Sequence, residues 1–248
     1  MFTLFKNKNL PTDFSPLEVD LHSHLIPGID DGSPDLGTSL ELIQELYALG
    51  FKTLYTTPHV MADLYPNSQD SILEGLEKVK QGITALGIPV EIHAAAEYYL
   101  DDQFEALLEQ DQLLTLPGNH VLVEMSFISQ PPNLFHNLFR LQTKGYKIIL
   151  AHPERYLFLK DDFKQYQRLK EYGCKFQLNL LSMIGHYGKP VKINALKLLK
   201  KGMIDYLATD LHHAKHVALL KEAIKNKRVR RVLAKGDFLN KNLGGRET

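Results

Sequence analysis

Two histidines stand two residues apart in D-L-H-S-H, at His22 and His24. On an extended chain that spacing puts both imidazoles on one face, where they can reach a single metal ion. Groups of the same chemistry recur far along the chain, each closing a short apolar run: His59 in T-T-P-H, Glu97 in A-A-A-E, Glu124 in L-V-E-M, His152 in L-A-H-P-E-R, and Asp210 and His212 in A-T-D-L-H. Any one of them alone reads most simply as a solvated or hydrogen-bonded side chain. Jointly they do not, because a packed core prefers apolar groups at its strand ends, and six of the seven expected ends carry His, Asp or Glu. Imidazole and carboxylate without thiolate suit Mn²⁺, Zn²⁺ or Fe²⁺ and point to a catalytic site over a structural one.

The loop after D-L-H-S-H reads I-P-G-I-D-D-G-S-P, with Asp30 and Asp31 between glycines. It is expected to turn into a helix with Ser33 near the N-cap and Pro34 in the first turn, a path that can also aim Asp31 at a metal. Arg155, three residues past His152, offers a planar donor fork suited to phosphate. His213, Lys215 and His216 follow the D-x-H segment closely and read as an exposed polar helix start at the mouth of the site. His93, His120, His136 and His186 lie off the pattern and receive no role. Cys174 is expected in the core, since position 180, where a cysteine-dependent phosphatase would need arginine, is Leu180.

A unit recurs along the chain: an amphipathic helical stretch, a glycine, then a short apolar run ending in polar residues. It is seen in YALGFKTLYTTPH, TALGIPVEIHAAAE, TKGYKIILAHPE, EYGCKFQLNLLS and KKGMIDYLATDLH. Leu36, Leu40, Ile43 and Tyr47 mark one helical face, and Ile72, Leu76, Val79, Ile83 and Leu86 another. Gly50, Gly87, Gly145, Gly173 and Gly202 fall where a helix needs a left-handed C′ residue. With Val19–Leu21 and His120–Met125 this makes about seven strands joined by helices, hence parallel pairing. An α/β barrel is preferred over an open sheet, because barrel enzymes collect their chemistry at the C-terminal strand ends.

The chain has 248 residues, 44% hydrophobic and 23% charged, which fits one domain with a sizeable core. Residues 1–16 are expected to form a tail, 17–248 the single domain, and the closing GGRET to fray. Twenty-nine basic and 29 acidic residues cancel, so no global field exists to hold nucleic acid or an anionic membrane. A single cysteine excludes an internal disulfide. The absence of a signal-like or membrane-spanning apolar run leads to the expectation of a cytoplasmic protein.

Taken together, D-L-H-S-H-L-I-P-G-I-D-D-G, T-T-P-H, A-A-E-Y-Y, V-E-M-S, A-H-P-E-R-Y and A-T-D-L-H resemble the PHP (polymerase and histidinol phosphatase) superfamily. Within it they resemble the CpsB/YwqE-like protein-tyrosine phosphatases of bacterial capsule and exopolysaccharide loci. The resemblance implies a distorted (β/α)7 barrel with three divalent ions, manganese foremost and iron or zinc as alternatives. It implies one ion on His22, His24, Glu97 and Asp210, a second sharing Glu97 and adding Glu124 and His152, and a third on Asp31, His59 and His212. Arg155 and Asp31 are then the candidate catalytic residues. Arg155 matches the phosphate-binding arginine, while Lys215 and His216 stand where a second arginine is expected and are the remaining substrate-binding candidates. The implied substrate is phosphotyrosine, on the tyrosine-rich tail of a polysaccharide-export kinase. The competing readings are a phosphoesterase for a small metabolite such as histidinol phosphate and a silent kinase-binding module. An amidohydrolase ranks lower, because Glu124 stands where its bridging lysine would be.

Overall fold

A computed structural model describes residues 10–244. In chain order the elements are β1 (Val19–Asp20), α1 (Leu36–Ala48), β2 (Thr53–Thr56), β3 (His59–Val60), α2 (Gln69–Leu86), β4 (Glu91–Ala94), β5 (Glu97–Tyr99), α3 (Asp102–Glu109), β6 (His120–Glu124), α4 (Leu134–Thr143), β7 (Lys147–Ala151), α5 (Phe163–Glu171), β8 (Lys175–Asn179), α6 (Lys189–Lys200), β9 (Tyr206–Ala208), α7 (Ala214–Ala223) and α8 (Lys227–Lys235). All ladders are parallel, as the helical crossovers require.

The seven expected strand runs are present, but as nine strands in two sheets, ordered β1-β2-β4 and β3-β5-β6-β7-β8-β9. No single closed ladder joins them among the described residues. The breaks fall at Thr57-Pro58 and Ala95-Ala96, in the second and third runs. Pro58 has no N–H to give a ladder. The chain crosses the gap by single bonds instead: Thr57 N donates to Ser23 O and Glu97 N to Pro58 O. At the far side Ser23 bridges Leu211, and Asp20 accepts from both the backbone N and the hydroxyl of Thr209.

Alternation along the strands explains where the core sits. Val121, Val123, Ile148 and Leu150 point outward into the layer of helices, whereas Leu122 and Ile149 point inward. With Val19, Leu21, Tyr55, Ala151, Tyr206 and Ala208 they fill the space enclosed by the two sheets. The same parity turns Glu97, Glu124, Gln177 and Asn179 to the inside, above that apolar plug.

The five glycines placed at helix ends all take positive φ, and Gly87 caps α2 at φ 62°. One helical face is rotated from its expected position. In α1 the buried residues are Ser39, Leu42, Ile43 and Leu46, while Leu36 and Tyr47 are over a third exposed. The helix also starts later than expected: Asp35, not Ser33, accepts from Thr38 N as its N-cap, and Pro34 stays outside the helix. In α2, Ile72, Leu76, Val79 and Ile83 are buried as expected, and Leu86 is exposed.

Of the expected tail, residues 1–9 lie outside the described residues, as do 245–248 of the closing segment. From Leu10 onward the chain is packed: Leu10 and Pro11 carbonyls accept from Arg230, and the buried Phe14 stacks on Phe51. No helix among the described residues is long and apolar enough to cross a membrane.

Candidate metal centre

The expected ligands gather at one rim of the sheets: Glu124 closes β6, His59 and Glu97 open the short strands β3 and β5, and Asp31 comes from the loop after β1. The register sets His59 on β3 directly beside Glu97 on β5, and Tyr99 beside Glu124 on β6. His22 and His24 leave β1; His152 follows β7; Asp210 and His212 follow β9. The loop after β1 folds back tightly over His24. A Cβ on Gly32 would lie 2.4 Å from both the Cβ and the carbonyl O of His24, so only glycine permits this approach. The loop thereby brings Asp30 to 2.7 Å from His24 Nδ1. Two of the delivered residues, His152 at φ 32° and Asp210 at φ 51°, hold backbone conformations that non-glycine residues rarely adopt. Such strain concentrates where a side chain must be aimed.

All nine candidate ligands meet. His22 Nε2, His24 Nε2, Glu97 Oε2 and Asp210 Oδ1 stand 3.1–3.5 Å apart in the pairs that form contacts. Donors about 2.0–2.2 Å from one tetrahedral ion would be separated by roughly that much. Glu97 also reaches the next group, with Oε1 3.1 Å from His152 Nε2, and Glu124 Oε2 lies 3.8 Å from the same nitrogen. Asp31 Oδ1 stands 3.5 Å from His59 Nε2 and 3.6 Å from His212 Nε2. The side chains that lie within reach of one another fall into four overlapping groups: His24, Asp31, His59 and His212; His22, Glu97 and His152; His22, His24 and Asp210; and His59, Glu97 and Glu124. Glu124 thus gathers with His59 rather than His152, and His22, His24, His59 and Glu97 each belong to two groups.

The chemistry of these donors fits cations and fits little else. His22 Nδ1 donates to Gln177 Oε1 at 3.0 Å, His24 Nδ1 to Asp30, and His212 Nδ1 to the Asp210 carbonyl at 2.9 Å. With those protons on Nδ1, neutral rings turn bare Nε2 lone pairs toward one another and toward carboxylates. That is the tautomer metal ligands need. Buried His59 Nδ1, 2.9 Å from Glu124 Oε1 and 3.1 Å from Glu97 Oε2, makes no properly angled hydrogen bond. Without a cation, protons must separate these groups. Burial opposes a charged His22, but Glu97 and Asp210 override it and raise its pKa to about 9. Burial likewise opposes an ionised Asp210, yet His22 and His212 hold its carboxyl well below the usual range.

Beneath the ligands lies a layer of neutral amides that the sequence pattern did not single out. The sixth strand run, β8, carries no ionisable ligand but supplies Gln177 and Asn179. Gln177 Oε1 accepts from His22 Nδ1 and from His152 N, and its Nε2 donates to Asn179, which donates to Asp210 Oδ2 at 2.6 Å. Two fully buried polar residues alternating with Phe176, Leu178 and Leu180 in F-Q-L-N-L were the available signal.

A family model described as capsular polysaccharide synthesis, CpsB/CapC, matches residues 18–232. The chain belongs to this family. Its sequence is similar to the tyrosine-protein phosphatase YwqE of Bacillus subtilis, 29% identical over 198 residues covering 79% of this chain and 78% of the relative. It is 27% identical over 202 residues to the tyrosine-protein phosphatase CpsB of Streptococcus pneumoniae, covering 79% and 83%. Among solved structures it matches one from work on YwqE and CpsB, described as unique metal-dependent tyrosine phosphatases, with TM-score 0.77 and 26% identity over 87% of this chain and 90% of that one. Histidinol phosphate phosphatase of Lactococcus lactis shares the fold at 13% identity, with TM-score 0.50 over 84% and 92%.

In this CpsB/CapC chain the centre opens into a cleft of about 570 Å³. Arg155 lines it, its guanidinium 4.3 Å from the Phe127 ring and 4.4 Å from the Tyr187 ring, with Nη1 donating to Asp210 Oδ2 at 3.1 Å. Two aromatic faces and a carboxylate thus fix the cation in place. Of the residues following D-x-H, His213 and His216 line the cleft, while Lys215 is exposed and does not. His93 stacks on Tyr55 and pairs with Glu91 away from the cleft, and His136 is exposed on α4. Cys174 is buried, which pushes its thiol up to about 12.

Proposed function

We propose that this CpsB/CapC protein is a metal-dependent protein-tyrosine phosphatase. The carrying observation is nine His, Asp and Glu side chains gathered in contact at the floor of a cleft that also holds a fixed arginine. His22, His24, Glu97 and Asp210 would hold one divalent ion, Glu97, Glu124 and His152 a second, and Asp31, His59 and His212 a third. Manganese is the preferred metal, with iron or zinc alternatives by donor type. When bound, divalent ions supply Lewis acidity and a hydroxide nucleophile at neutral pH.

Arg155 receives the phosphate, its remaining N–H groups free to donate while Asp210 and the two rings hold its plane. The charge it faces grows as the phosphoryl group transfers, so it contributes to rate as well as binding. A tyrosine leaving group has a pKa of about 10, so the chain need not supply a strong general acid to its departing oxygen. The two sheets are read as arcs of a distorted (β/α)7 barrel of the PHP type, a reading supported by the Ser23–Leu211 bridge and the shared inner core. The phosphotyrosine is proposed to lie on the tail of a polysaccharide-export kinase and the protein to work in the cytoplasm.

The test is direct. Metal content is measured on the purified protein, and hydrolysis of a phosphotyrosine peptide and of histidinol phosphate is compared with and without chelator and added Mn²⁺. Chelator-sensitive turnover of the peptide is expected. Preference for histidinol phosphate would move the substrate to a small metabolite, and a metal-free, inert protein would leave only a binding role.

A further inference from the structure

We infer that two pinned loops at the mouth of the cleft form an apolar edge that selects phosphotyrosyl peptides with an aliphatic or aromatic residue flanking the phosphotyrosine. The inference rests on the phosphatase reading and deepens it. The strand order β3-β5-β6 sets the loop after β3 on one side of Tyr99, at the end of β5, and the loop after β6 on the other. The first carries Leu64 and Tyr65, the second Phe127 and Ile128, and all border the cleft that holds Arg155.

These side chains fall into an inner and an outer rank. Tyr65 stacks on His59, and Phe127, 37% exposed, lies over the Arg155 guanidinium, so both are held against the phosphate end of the cleft. An aryl group whose phosphate sits at Arg155 meets these rings. Leu64 and Ile128, at 66% and 78% exposed, are the outer pair and leave most of their apolar surface in water. Large apolar groups left in water beside a polar centre favour a partner that covers them.

Neither rim residue is on a loose segment. Met61 and Tyr65 exchange backbone bonds of 2.9 and 3.0 Å, which closes a tight turn with Leu64 near its tip. On the other loop Ser126 Oγ accepts from Ile128 N at 3.2 Å, Leu157 N donates to Phe127 O at 2.8 Å, and Pro131 and Pro132 follow. A preorganised edge loses little entropy when a peptide covers it, so apolar contact there is expressed as affinity. Inorganic phosphate and a bare aryl phosphate carry no flanking side chain to cover it.

The experiment compares three substrates on the metal-loaded protein: phenyl phosphate, a phosphotyrosine peptide flanked by Leu and Ile, and the same peptide flanked by Ser and Asn. Wild-type kcat/KM should favour the apolar-flanked peptide by about tenfold or more, mainly through KM, the scale expected for covering one such side chain. Leu64→Ser with Ile128→Ser should erase that preference and leave phenyl phosphate turnover within about twofold, since neither residue touches the reacting groups. Equal wild-type use of both peptides, or a preference surviving the double substitution, would overturn the proposal alone. Failure to turn over any of the three would overturn the phosphatase reading and this inference with it.

Discussion

Gln177 Oε1 stands 3.0 Å from His22 Nδ1, so a neutral amide on β8 sets the tautomer of an imidazole 155 residues earlier in the chain. The same oxygen accepts from His152 N, so one side chain steadies two of the proposed ligand sets. Gln177→Leu keeps the volume and removes both bonds. Metal affinity should fall about ten- to a hundredfold, the usual cost of losing an orienting partner. Mn²⁺ affinity measured calorimetrically decides it, and unchanged affinity would mean the amide merely fills space.

Among the described residues, Glu97 alone contacts His22, His24, His59 and His152 at once. Glu97→Gln preserves its shape and deletes its charge. At least one ion per chain should be lost, with turnover down by more than about a hundredfold. Metal counting alongside kinetics is the check; full activity would contradict the assignment of Glu97 as a shared ligand.

The raised pKa of His22 has a signature in stability. In metal-free protein it moves from 6.5 to about 9, with burial opposing and Glu97 and Asp210 favouring the charged ring. A raised folded-state value stabilises fully below 6.5 and is lost as pH rises through 9. Chelated protein should therefore lose thermal stability between pH 6.5 and 9, while metal-loaded protein, whose cations replace that proton, should not. Melting curves with and without chelator across this range should diverge with increasing pH. Parallel curves would remove His22 from the site.

Cys174 takes no part in the chemistry. Its buried thiol, raised to about 12, should react with iodoacetamide far more slowly than a free cysteine near 8.5, and alkylating reagent should leave phosphatase activity unchanged. Rapid inactivation would point to a cysteine-dependent mechanism.

The candidate ligands were legible because metal chemistry admits few side chains, and eight of the nine, all but Asp31, fell at ends of apolar runs that periodicity could mark. Asp30 was visible beside Asp31, but which of the two would orient His24 depends on the fold-back over Gly32, a tertiary contact. Gln177 and Asn179 were passed over because neutral amides do not advertise themselves; only their burial between apolar neighbours marks them. Phe127 and Tyr187 come from separate loops to clasp Arg155, and nothing local couples them. The strand breaks at Pro58 and Ala95-Ala96 escaped for the same reason: pattern locates extended chain, whereas pairing depends on distant partners.

Asn240, near the described C-terminus, donates to the carbonyls of Val19 and Leu207 and accepts from Leu207 N, stitching the first strand to the last. Synthesis runs in one direction, so His22 leaves the ribosome before Asp210, His212 and then this stitch. A nascent chain therefore carries an incomplete set of candidate ligands until Asp210 and His212 have emerged, and loading of the proposed centre with metal must wait for them.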